Sequence, residues 1–308
     1  MSQLIHAVAR IRAMESELLT QNSANRMISA PSFESAYAVL DELGYAKESS
    51  VFRDTYNYEG AIEAGLFQTS QIFKAFDIQS VQKILTVVID IQNIILYIKA
   101  FEKGNEENRD DQKNLSNESI VDESEVISYG YYSKETLDDV FINNSVNADY
   151  SELLDIVNKT KKCKTTSEKE DIIEFELFER AQKEAKKNSF LTSFLSHIQK
   201  GKSIKKDILI DSEENLEKKY PEYKKLLQLV FSKKSVQEQI LALEILLDEK
   251  MVSFLQKESS GKIDGFEVLF SFFWRKERNS RVIRSILLAK KSGISSELIK
   301  AEFNAFIF

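Results

Sequence analysis

The sequence predicts an all-α protein, and three observations predict it. Only 2 prolines and 9 glycines occur among 308 residues, which leaves little of the turn chemistry that sheets require. Lys, Glu, Leu, Ile, Ser and Asn, mostly tolerant of helices, fill much of the remainder. Apolar residues recur at helical spacing between recognisable starts and stops.

In chain order, Leu4, Ile5, Val8 and Ile11, with Arg10 and Arg12 between them, predict an amphipathic opening helix. This pattern lacks the uninterrupted apolar stretch of a signal peptide. Pro31 and Ser32 open a segment in which Phe33, Ala36, Tyr37 and Leu40 share a face, and Gly44 follows as a C-terminal stop. A helical hairpin is therefore expected to open the protein. The pattern continues over 61–76. After Asp77 it resumes with Ile84, Val88, Ile91, Ile95 and Ile98 on one stripe that ends at Gly104.

The stretch 81–101 approaches the roughly 20 residues that cross a bilayer. Lys83, Asp90, Gln92, Asn93 and Lys99 interrupt it, and an ionised Asp near the centre of a lone span is expensive. It is expected to be a buried core helix.

Residues 105 to about 127 are acidic, rich in Asn and Ser and nearly free of aromatics, the composition of a solvated linker. A middle segment then runs from Tyr129 to about Ile210, followed by a polar stretch, 211–219, and a helix starting at Pro221. The last long segment starts at Val236. The expected division is a first helical unit over 1–110, an acidic linker over 111–128, a middle unit over 129–219 and a C-terminal unit over 220–308.

The first and last units echo each other. Ala61-Ile62-Glu63 matches Ala242-Leu243-Glu244, and each begins a helix that precedes a long apolar helix ending in Ala-x-x-x-Gly, at Gly104 and Gly293. Gly130 leads into Ser133, Glu135 and Leu137, and Gly293 into Ser296, Glu297 and Leu298, a serine cap with an early acid in both. Any two amphipathic helices share some of this likeness, so the spacing alone leaves a true repeat open.

Composition also narrows function. A net charge of −7 argues against general nucleic-acid binding. The charge is uneven, with eight acids over 105–125 and eight bases over 271–300. One cysteine, Cys163, allows no internal disulfide and fits a reducing compartment. The nine glycines are scattered singly, so no phosphate-binding loop is seen and no direct nucleotide binding is expected. His6 and His197 lie far apart in sequence, with no spacing of a metal pair. A Cys163–His197 dyad has no orienting third group in the sequence. No catalytic residue, metal or cofactor is expected.

Several stretches carry a resemblance to a known family. Ala9-Arg10-Ile11-Arg12-Ala13-Met14-Glu15-Ser16-Glu17-Leu18-Leu19, the segment Ala30 to Tyr45 with its early Glu34 and closing Gly-Tyr pair, and the run Phe272-Phe273-Trp274-Arg275-Lys276-Glu277 are similar to the C subunit of archaeal and bacterial V/A-type ATPases, equivalent to the d subunit of the eukaryotic vacuolar ATPase. The family's recurring long helix carries an acid, an Asn a few positions on, a basic residue and a closing glycine. Asp90, Asn93 and Gly104 keep that pattern in the first copy, and Glu277, Arg284, Lys290 and Gly293 in the last. Val282 stands where the last copy's Asn is expected, Ile95 where the first copy's basic residue is expected, and Ser189 to Gly201 reads as a degenerate middle copy.

The resemblance implies a funnel-shaped array of about three pseudo-repeated helical units, the middle one degenerate. It implies a non-catalytic central-stalk adaptor that takes the shaft of the soluble ATP-hydrolysing motor at its mouth and rests on the membrane rotor ring. Its place would be peripheral, on the cytoplasmic face of a membrane. Arg275, Arg278, Arg281, Lys290 and Lys291 become candidate partner-binding residues. Asp90 and Asn93, set among Val87, Val88, Ile89, Ile91, Ile94 and Ile95, are expected to form a buried polar clasp, as are Glu277 and Arg284. The alternatives are a solvated basic face of no special use and, for the whole chain, a free-standing helical scaffold that binds regulatory proteins.

Overall fold

In the computed structural model, residues 2–45, 55–76, 78–107, 121, 126–142 and 151–304 are described. Among them there is no strand, and the fold is all-α. Most of the expected acidic linker, 111–128, lies outside the described residues.

The chain begins with α1 (Ser2–Met14), a 3-10 turn (Glu15–Glu17) and α2 (Gln21–Ser29). Thr20 and Ser23 close α2 with a reciprocal capping box. The segment opened by Pro31 is a single short helix, α3 (Phe33–Tyr37), capped by the Ser32 side chain and continued as a 3-10 turn (Ala38–Asp41). Gly44 stops it with φ +70°, where a side chain would be strained.

Next come α4 (Tyr58–Ala75), α5 (Gln79–Leu85) and α6 (Val87–Glu107). The expected continuous stripe over 78–104 is thus two helices, broken at Thr86 and running past Gly104. The break has a local cause. Thr86 Oγ1 lies 3.0 Å from the Gln82 carbonyl oxygen of the preceding turn and 2.9 Å from Asp90 Oδ2, and such back-bonding bends helices.

Beyond lie α7 (Lys134–Phe141), capped by Ser133, α8 (Ser151–Thr160) and α9 (Thr166–Ala185), which Thr165 and Glu168 box. Then follow α10 (Ser189–Asp207), α11 (Glu213–Lys219), a 3-10 turn at Pro221–Tyr223 and α12 (Lys224–Phe231). The polar stretch 211–219 therefore holds a helix, whose Leu216 is fully buried while Glu214, Lys218 and Lys219 are exposed. The chain closes with α13 (Val236–Ser259), boxed by Ser235 and Glu238, α14 (Phe266–Lys291) and α15 (Ser296–Asn304). Gly261 and Gly293 take φ of +72° and +71° at the ends of α13 and α14. The serine that caps α15 is Ser295, which accepts the Leu298 N–H, one position before the serine expected from sequence. No helix among the described residues is long and apolar enough to cross a membrane.

By contact the chain forms two compact units, one of residues 1–66 with 189–308, the other of 67–188. These run across the divisions drawn from composition, because helices far apart in sequence share a core. In the first unit α14 is central and packs against α1, α2, α3, α13 and α15. Twelve of its residues are buried, which requires an apolar stripe wider than a surface helix carries. Phe194 meets Phe270 edge-on at 4.7 Å, and Phe190 meets the same ring at 5.3 Å, the geometry that aromatic quadrupoles favour. In the second unit α9 packs against α5, α6 and α8, and α6 against α7.

Gly65 of α4 marks a close approach in the first unit. A Cβ there would stand 2.7 Å from Tyr45 Cδ1 and 3.1 Å from Tyr45 Cα, so backbone has to move. Gly65→Ala is expected to lower the unfolding free energy by about 1–3 kcal/mol, in spite of alanine's better helix propensity; a urea titration reads the difference.

Candidate partner-binding faces and the polar clasps behind them

The five basic residues expected on a docking face all lie on α14, and each already has a partner inside its own unit. Arg278 Nε lies 2.7 Å from Asp248 Oδ2, and Arg281 Nη2 lies 3.1 Å from Asp248 Oδ1 and 3.0 Å from Glu277 Oε2. Trp274 Nε1 donates to the same Asp248 at 3.0 Å, so one carboxylate on α13 gathers three donors from α14. Arg275 Nη1 approaches Glu15 Oε1 at 3.9 Å. Lys290 Nζ donates to the Ala30 carbonyl at 2.7 Å and to Ser296 Oγ at 2.8 Å. Lys291 stands over the Tyr58 ring at 5.8 Å. Of the guanidinium groups of Arg275, Arg278 and Arg281, that of Arg281 belongs to the most exposed side chain, at 53 %.

Glu277 and Arg284 lie on the same helix but reach different partners. Arg284 Nε donates to Glu59 Oε2 at 2.7 Å and its Nη1 to Ser280 Oγ at 3.2 Å, while Glu277 pairs with Arg281. Burial pushes the Glu277 carboxyl up, against the pull of Arg281.

The residue that sequence reading missed is Lys276, beside them on α14, with 1 % of its surface exposed. Its Nζ donates to the Leu43 carbonyl at 2.6 Å, lies 3.6 Å from Glu17 Oε2 and stands 4.2 Å from the Tyr45 ring centroid. The Tyr45 hydroxyl returns a hydrogen bond to the Lys276 carbonyl at 2.9 Å. Glycine at 44 makes this possible, since a Cβ there would collide with the Glu17 carboxylate. No periodic signal separates this lysine from its exposed neighbours; only the aromatic run before it hints at burial.

In the second unit, Asp90 and Asn93 of α6 are 2 % and 1 % exposed. Asp90 Oδ1 accepts the backbone N–H groups of Tyr131 at 2.9 Å and Tyr132 at 3.2 Å. Asn93 forms a two-way bond with Ile127, accepting its N–H at 3.0 Å and donating to its carbonyl at 2.9 Å. Both side chains therefore bind the backbone of 127–132 and not a second helix. Burial pushes the Asp90 carboxyl up to about 7, opposed by the Tyr132, Thr86 and Tyr131 hydrogen bonds and by Lys83.

Cys163 Sγ lies 3.8 Å from the Lys159 carbonyl. His197 Nδ1 lies 3.3 Å from Tyr223 Oη, its ring is 4.5 Å from Phe254, and burial holds its pKa below the usual histidine value. Among the described residues no group of His, Cys, Asp and Glu could hold a metal ion.

Two substitutions test these clasps. Lys276→Ala is expected to cost about 3–5 kcal/mol, as loss of one partner of a buried charge does, while Lys276→Met, which keeps the volume and removes the charge, costs less. Asp90→Ala leaves the Tyr131 and Tyr132 donors unpaired and is expected to cost about 1–3 kcal/mol. Chemical denaturation followed by circular dichroism measures both.

No curated protein matches the chain. Residues 7–108 match the family model of the ATP synthase (C/AC39) subunit, a stretch from within α1 to just past α6, and this supports for the chain the C/AC39 family of V/A-type ATPase subunits that its sequence resembles.

Proposed function

We propose that the protein is a non-catalytic adaptor in the central stalk of a rotary V/A-type ATPase, joining the shaft of the soluble motor to the membrane rotor ring. The observation that carries this reading is the match of residues 7–108 to a family of ATP synthase subunits. Its partners are other subunits of that complex, and its place is peripheral, on the cytoplasmic face. The fold supports a mechanical role. Torque passes through a protein only if it resists deformation, and close-packed helices tied by satisfied buried polar groups do so. In the first unit Lys276, Arg284 and Lys290 tie α14 to Leu43, Glu59 and Ala30 respectively.

Gentle solubilisation of membranes and affinity capture of the chain test the role: shaft and ring subunits are expected to follow it. Their absence, with the chain recovered folded, sinks the proposal and leaves a free-standing scaffold. For the face on α14, Arg281→Gln combined with Lys291→Gln is expected to weaken assembly, with helicity by circular dichroism intact because Trp274 and Arg278 still hold Asp248. Unchanged assembly would make this face a solvated one.

A further inference from the structure

Asp90 of α6 is buried beside a small cavity of about 20 Å³, whose polar lining includes Lys83, Tyr131, Tyr132, Glu152, Arg180 and Glu184. The charges around it are already committed. Lys83 of α5 lies 3.3 Å from Glu152 of α8 and 4.0 Å from Glu184 of α9. Arg180 of α9 lies 2.6 Å from Asp155 of α8 and 3.5 Å from Glu176, and Lys159 of α8 pairs with the same two acids at 3.1 Å and 2.7 Å. These three cations thus face four carboxylates before Asp90 is counted. An ionised Asp90 would be a fifth, in the most buried position, with no ion pair of its own to a cation among the described residues.

Hydrogen-bond geometry provides for the alternative. Asp90 Oδ2 lies 2.9 Å from Thr86 Oγ1, and Thr86 Oγ1 lies 3.0 Å from the Gln82 carbonyl oxygen. A protonated Oδ2 can donate to Thr86 Oγ1 while that hydroxyl donates to Gln82. On ionisation the hydroxyl hydrogen turns toward Asp90. In both forms Oδ1 keeps the Tyr131 and Tyr132 N–H groups. Gly130 lets the backbone come this near, since a Cβ there would stand 2.7 Å from Asp90 Oδ1.

We infer that the Asp90 clasp is a proton-operated latch, which holds the 127–132 segment against α6 when the carboxyl is protonated and opens more readily when it is ionised. Burial acts in the same sense, pushing this carboxyl up to about 7 and that of neighbouring Glu184 up as well. The closed form has the raised affinity for the proton, whereas in an opened form Asp90 meets water and titrates as an ordinary carboxylate. The latch is therefore strongest below the ordinary carboxylate value. It is weakened as the pH rises toward about 7 and is level above that. Tyr131 and Tyr132 line the same site, and burial pushes the Tyr132 phenol further above this range.

Amide hydrogen exchange at Tyr131 and Tyr132, compared between the parent chain and Asp90→Asn at each pH, reads the latch with the base catalysis of exchange cancelled. The opening constant of the parent relative to the variant is expected to rise about tenfold per pH unit from roughly pH 5 toward neutrality and then flatten. A ratio independent of pH over this range overturns the inference. Should Asp90→Asn fail to fold, infrared spectra of the parent labelled with ¹³C at its aspartate carboxyls decide. A neutral-acid band near pH 6 that is lost by about pH 8 supports the latch, and fully ionised aspartates at pH 6 overturn it.

Discussion

The first unit is organised by one constraint, the burial of the Lys276 ammonium in the middle of α14. A charge removed from water costs several kcal/mol unless geometry and hydrogen bonding offset it. The groups that offset this one come from residues 17–45: the Leu43 carbonyl, the Glu17 carboxylate and the Tyr45 ring. The N-terminal helices and α14, more than 230 positions apart, are thereby obliged to share a core. Gly44 is part of the same constraint. Its positive φ stops the α3 segment, and its missing side chain admits Glu17.

The second unit meets a related constraint with the opposite charge. The partners of Asp90 are uncharged: two backbone N–H groups and a hydroxyl. Neutral donors compensate a buried carboxylate only in part, so its proton affinity rises where that of a salt-bridged acid would fall. Lys276 is a fixed tie of high cost if broken. Asp90 is a tie whose strength the solvent pH sets.

Helix type and several helix ends were legible in the sequence because they arise from local physics. The stripe of 61–76, the Ser133 cap and the stops at Gly44 and Gly293 need only neighbours along the chain. So does the burial of Asp90 and Asn93, which their apolar surroundings require. What was not legible depends on distant partners. Lys276 reads like any cation in a basic run until Leu43 is placed beside it. Asp248, which collects Trp274, Arg278 and Arg281, carries no sign of that role in its own sequence neighbourhood. The break at Thr86 was missed for a subtler reason. Its hydroxyl competes with the helix through a bond to Gln82, a local effect that an apolar stripe hides.

Under the proposed stalk role, the pairing of the α14 cations bears on how the chain would recognise its neighbours. A guanidinium already bonded to carboxylates of its own unit projects little net field, so steering at a distance would be weak. Such a group still serves an interface at close range, because an arriving carboxylate can share the fork that Asp248 or Glu277 holds, and Arg has donors to spare. Recognition on this face would then depend on fit and on exchange of hydrogen-bond partners, with charge attraction secondary. For a part that must turn with its neighbours without slipping, that arrangement has a physical advantage. Contacts made by shape and short directional bonds resist tangential displacement, whereas a diffuse field between opposite charges hardly distinguishes one rotational register from the next.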